Sequence, residues 1–154
     1  MLGVDGLTEK SFLRVSQLSG FFLVVFLLFF SQQANAKTEK RILIINSYHT
    51  TFGWTDSLNS GIISALKSGG FHFEIYIENL DSKRNFTTPF QDEFAAFIKK
   101  KYQNIKIDII LVTDNNALLF MEQYHSDIFP EIPIVFCGVN NQYDFQKGFT
   151  GVIE

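Results

Sequence analysis

The hydrophobic pattern changes period along the chain in a regular order. "RILIINS" (41–47) is a short, nearly continuous apolar run, as found in a strand buried on both faces. After it, Trp54, Leu58, Ile62, Ala65 and Leu66 recur at helical spacing, and Gly69-Gly70 stops the helix. "FHFEIYIEN" then alternates, with Phe71, Phe73, Ile75 and Ile77 on one side and His72, Glu74, Tyr76 and Glu78 on the other. That pattern predicts a half-exposed strand at a sheet edge. A second helix follows in "TTPFQDEFAAFIKKKYQN". Thr88 fits its cap, Pro89 its first position, Asp92 and Glu93 its positive end and Lys99 to Lys101 its negative end. Phe90, Phe94, Phe97 and Ile98 form the apolar face. "IKIDIILV" is a buried strand, "NNALLFMEQYHSDIF" a third helix, "IPIVFCGVN" another buried strand, and "FTGVIE" closes the chain.

Strands alternating with helices predict an α/β fold of three layers, a parallel sheet with helices on both faces. With the alternating second strand at an edge, the flavodoxin-like order 2-1-3-4-5 fits. Ligands of such sheets bind beyond the carboxyl ends of the strands, where the order reverses between strands one and three. Residues 46–54, 113–116 and 137–141 emerge there.

The amino-terminal residues change the compartment. Lys10 and Arg14 precede the apolar run "GFFLVVFLLFF" (20–30), and a small-x-small site follows at Ala34-Asn35-Ala36. These are the parts of a signal peptide, residues 1–36, with export to the periplasm. The run is short for a membrane span, which needs about 20 residues, although an uncleaved anchor is the alternative. Residues 37–154 then form one small domain.

The whole chain has 13 Lys and Arg against 16 Asp and Glu, a net charge of −3. No basic stripe appears, which argues against nucleic acid as a partner. Cys137 is the single cysteine and reads as a buried strand thiol.

"TDNN" (113–116) therefore lies at the predicted ligand edge. Asp114 or Asn115 can cap the third helix. A receiver-like phosphoacceptor at Asp114 would need acidic Mg²⁺ ligands after the first strand, where the chain has Asn46, Ser47 and Tyr48. The third reading is a pocket for a small polar ligand, with amides and flat aromatics lining it. Trp54, the only Trp, is either a wall of that pocket or the first core residue of its helix. His49 has no partner at metal-ligand spacing, so no metal is expected. Ser47, His49 and Asp81 or Asp114 can converge in principle, but no nucleophile elbow, phosphate loop or dinucleotide fingerprint appears. Neither catalysis nor a cofactor is expected.

"RILIINSYHTTFGWTDSLNSGI", "IYIENLDSKR", "DIILVTDNNALLFMEQYHSDIFPEIPIVFCGVNN" and "FTGVIE" together resemble the periplasmic sensor domains of bacterial histidine kinases. These sensors belong to the ABC-transporter substrate-binding-protein-like group. The resemblance implies a type I periplasmic-binding fold, in which two lobes close on a small polar solute. It implies ligand contacts at Ser47, Tyr48, Trp54, Asp114, Asn115, Asn116, Gly138, Asn140 and Asn141. Residues 37–154 match the amino-terminal lobe alone, without transmitter modules, so the expected partners are a second lobe and a membrane-bound signalling or permease protein. A solute receptor of an ABC transporter is the alternative; the "IVFCGVNN" run favours the sensor.

The "ANA" site predicts export with cleavage after Ala36. Mass spectrometry of the exported protein is expected to find Lys37 at the amino terminus; an intact Met1 in the membrane fraction indicates an anchor instead.

Overall fold

The computed structural model describes residues 39–70, 72–140 and 148–153. Internal contacts divide the chain into two units, Met1–Lys37 and Thr38–Glu154, and the described residues all belong to the second. The expected leader and its apolar run therefore lie outside the described residues.

Eight elements follow in order: β1 (Lys40–Asn46), α1 (Gly53–Ser68), β2 (Phe73–Asn79), α2 (Thr88–Tyr102), β3 (Ile109–Thr113), α3 (Asp114–Ile128), β4 (Ile134–Val139) and β5 (Phe149–Ile153). The five strands form one sheet in the order β2-β1-β3-β4-β5, every pair parallel. This is the flavodoxin-like α/β arrangement that the alternation of periods predicts. β1 lies inside the sheet, between β2 and β3, because its residues are apolar in both directions, so neither face tolerates water. Ile44 pairs with Ile77 on one side and with Leu111 on the other.

The two faces are covered unequally. Leu43, Ile45, Ile110, Val112, Ile134 and Phe136 point toward α2 and α3. There they meet Ala95, Ile98 and Tyr102 of α2 and Ala117, Leu118, Phe120 and Met121 of α3, all buried. On the other face Ile42 and Ile44 are buried, while Phe73, Ile75, Ile109 and Leu111 remain half-buried under α1. The face of α1 that the spacing assigned to the core is correspondingly shallow, with Leu58, Ile62 and Leu66 half-buried and Ala65 exposed.

β2 is an edge strand, as its alternation predicts, but the sides are exchanged at its end. Ile77 is 39% exposed, whereas Glu78 is only 8% exposed. The reason lies in α2. Its Tyr102 hydroxyl donates to Glu78 Oε1 at 2.6 Å, and Lys101 pairs with the same carboxylate. Tyr76 packs edge-on against the Tyr102 ring at 5.6 Å. Burying a carboxylate is costly unless it is paired and hydrogen-bonded, and α2 supplies both conditions. Phe71 lies outside the described residues.

α2 begins one residue earlier than expected. Thr87 is its cap residue, and Asn85 Oδ1 accepts from both the amide and the hydroxyl of Thr87. Phe97, assigned to the apolar face, is 50% exposed beside Lys101, whereas Phe90 and Phe94 pack against the core.

Two glycines shape the β4 side of the sheet. A side chain at Gly151 would meet the carbonyl oxygen of Phe136 at 2.2 Å and its ring at 2.4 Å. Gly138 has φ +69 and lies in a register shift between β4 and β5. A Cβ there would also come within 3.2 Å of Leu58 and 3.3 Å of Trp54.

The packing predicts opposite outcomes for two phenylalanines. Phe120→Ala is expected to cost about 3–5 kcal/mol by opening a cavity in the α3 side of the core. Phe97→Ala is expected to cost about 0.5 kcal/mol or less, as for surface substitutions. Urea unfolding midpoints of the two variants check the assignment of the faces.

Candidate functional site

The carboxyl ends of β1, β2 and β3 are tied together before any side chain reaches solvent. Asn46, fully buried, donates through Nδ2 to Asn79 Oδ1 at 3.0 Å and accepts at Oδ1 from Thr113 Oγ1 at 2.9 Å. One amide thus bridges three adjacent strand ends.

Ser47 follows with no exposed surface. Its hydroxyl donates to the Thr113 carbonyl at 2.7 Å and accepts from the Ala117 amide at 2.8 Å. Those two backbone groups would ordinarily bond to each other in the first turn of α3. The Ser47 hydroxyl stands between them. Beside this insertion Asp114, the first residue of α3, has φ +70, which is rare for a residue other than glycine.

The Ser47 carbonyl in turn accepts from the amide and the hydroxyl of Ser82, at 2.9 and 2.8 Å. Asn116 Nδ2 donates to Ser82 Oγ at 2.9 Å. The loop after β2 is thereby fastened to the start of α3.

Asp114 is 7% exposed. Its Oδ1 accepts from the Tyr48 hydroxyl at 2.8 Å and from the Asn115 amide at 2.7 Å. Burial and this bond to a carboxylate both favour the protonated phenol, and they push the Tyr48 pKa up to about 12. Asn115 Oδ1 accepts from the Asn140 amide at 3.1 Å and so links α3 to the end of β4.

The outer rim is aromatic and charged. Tyr48 and Phe52 meet edge to face at 4.9 Å, and the Lys83 ammonium lies 4.5 and 4.8 Å from their ring centres. His49 Nδ1 is 3.2 Å from Asp81 Oδ1, and Arg84 binds the other oxygen of Asp81 at 2.8 Å.

These positions sort the expected contacts. Tyr48, Asp114, Asn115, Asn116 and Asn140 gather at one edge through the bonds just described. Trp54 is 38% exposed and lies against Gly138, so its indole is a rim group rather than a core residue. Ser47 is corrected: buried, with its hydroxyl joined to two backbone groups, it holds the site from behind and cannot face a ligand. Asn141 lies outside the described residues.

Capping is also divided differently from the expectation. Asp114 takes the Asn115 amide, Ser47 takes the Ala117 amide, and the Asn115 side chain turns to Asn140. His49 and Asp81 do come together, but the Ser47 hydroxyl points to Thr113, so the three form no relay. Among the described residues no group of acidic, His or Cys side chains could hold a metal ion.

Sequence reasoning missed Asn79, Ser82 and Lys83. All three lie in or next to "NLDSKR", just past an edge strand, where no periodic pattern marks a role.

No protein-family model matches the chain, and neither a curated protein nor a solved structure does. The class that the structure defines is therefore one of fold, a flavodoxin-like α/β lobe with a polar, aromatic-rimmed carboxyl edge.

Removing the Ser47 hydroxyl leaves the buried Ala117 amide without its acceptor, while the Thr113 carbonyl keeps the Ser47 amide at 3.2 Å. Ser47→Ala is expected to cost about 1–3 kcal/mol, and Asn116→Ala about 0.5–1.5 kcal/mol, since only one bond at a partly exposed position is lost. Chemical denaturation of the two variants side by side gives the order.

Proposed function

We propose that this chain is the amino-terminal lobe of an extracytoplasmic receptor for a small polar solute, serving as the input module of a sensor histidine kinase or a similar membrane-bound signalling protein. The observation that carries this reading is the convergence of Tyr48, Asp114, Asn115 and Asn116 at the carboxyl edge between β1 and β3. Open parallel sheets bind their ligands at such an edge. Asn115 and Asn116 use one amide atom each in the bonds described, which leaves Nδ2 of Asn115 and Oδ1 of Asn116 for a solute.

Export through the amino-terminal leader belongs to the same reading. Among the described residues no helix is long and apolar enough to cross a membrane. A second lobe would close over the edge, and a single lobe supplies about half of the contacts of such a cleft, so binding to this chain alone is weak.

Trp54 makes the test direct, because the only indole of the chain stands at the rim. A panel of small polar solutes, titrated into the millimolar range, is expected to include one that shifts Trp54 emission. Asn116→Ala is then expected to weaken that solute by about tenfold, as for one directional hydrogen bond of about 1–3 kcal/mol. Equal affinity in the variant, or no response to any solute, overturns the assignment.

A further inference from the structure

We infer that the rim formed by Tyr48 and Phe52 is a cation site, that Lys83 occupies it from within the chain, and that the solute carries an organic ammonium group which displaces Lys83. The inference rests on the solute-binding reading above and narrows it to a ligand class.

Two features point the same way. The first is Asp114. It is nearly buried, and none of the ion pairs among the described residues includes it. A buried carboxylate that no direct ion pair neutralises leaves negative potential at the edge where the ligand is expected. Its backbone, at φ +70, lies in an uncommon conformation beside the Ser47 insertion.

The second feature is the aromatic corner. An edge-to-face pair presents two electron-rich surfaces to one point, and the Lys83 ammonium lies within 5 Å of both ring centres. The Tyr48 hydroxyl donates to the Asp114 carboxylate, which draws electron density into the ring and strengthens its attraction for a cation. The corner and the carboxylate are thus one electrostatic unit.

Lys83 is exposed and no carboxylate pairs with it among the described residues, whereas its neighbour Arg84 takes Asp81. A long flexible ammonium that rests on two rings without a salt bridge is readily exchanged for another cation of similar size. An anionic ligand would instead have to draw Lys83 off the rings and accept the field of Asp114.

Tetramethylammonium, titrated into the full chain at constant ionic strength and followed by amide chemical shifts, tests this. The expected result is saturable shifts at Tyr48, Phe52 and Lys83 in the millimolar range, with no response to the neutral tert-butyl analogue of choline. Lys83→Ala removes the internal competitor, and it is expected to tighten binding about two- to fivefold, the gain matching one exposed cation–π contact. Phe52→Leu is expected to weaken it by a similar factor.

Equal shifts from the neutral analogue overturn the inference. So does a loss of binding in Lys83→Ala, or a response to acetate that disappears in that variant, since both make Lys83 a ligand contact. If tetramethylammonium fails while another solute shifts Trp54 emission, the ligand class is wrong and the receptor reading stands. If every solute fails, both are wrong.

Discussion

The hydroxyl of Ser47 replaces a hydrogen bond that α3 would otherwise make to itself. It donates to Thr113 and accepts from Ala117, so β1 is joined to the first turn of the helix that leaves β3. Everything at the carboxyl edge is referenced to that insertion. It accompanies the left-handed backbone at Asp114, which carries the carboxylate to the Tyr48 hydroxyl. Its carbonyl receives Ser82, and Ser82 receives Asn116. A buried bridge of this kind favours one arrangement because losing it leaves the buried Ala117 amide to find another acceptor.

The fold was legible because its signals are repetitive. Apolar runs, helical spacing and one alternating strand were enough to give the element order, the parallel sheet and the position of β2 at an edge. Single side chains override such signals, and there the reading failed. Glu78 is inside because Tyr102 and Lys101 come from the end of the following helix to meet it. Ser47 looked like a ligand contact because its position at a strand end is right, while its burial depends on the distant backbone of α3. Lys83 sits in a stretch with no period at all, and only the fold brings it over Tyr48 and Phe52. Local pattern carries architecture, whereas long-range pairing decides which polar group supports the site and which one lines it.

The unequal faces of the sheet bear on mechanics. The α2 and α3 side is a continuous aromatic and aliphatic core, with Phe94 against Phe120 at 5.4 Å and Phe120 against Tyr124 at 4.9 Å. The α1 side is thinner, and Asn59 Oδ1 is buried there without a hydrogen-bond partner. Such an unsatisfied group costs about 1–3 kcal/mol, so the α1 side holds less of the domain's stability. The rim residues Tyr48, Phe52 and Trp54 lead into this less firmly held helix, while Asp114, Asn115 and Asn116 stand on the firm one.

Gly138 and Gly151 place part of this architecture beyond the reach of ordinary side chains. Gly151 lies against the Phe136 backbone, and Gly138 combines a left-handed φ with contact to Leu58 and Trp54. Gly53 and Gly61, in contrast, have open space where a Cβ would go. Over evolutionary time the two pairs should diverge in tolerance. Gly53 and Gly61 can accept a side chain, but a bulkier residue at either strand position requires Phe136, or Leu58 and the indole, to shift first. The indole at Trp54 is thus coupled sterically to a strand glycine, whereas Tyr48, Phe52 and Lys83 carry no such constraint from Gly138.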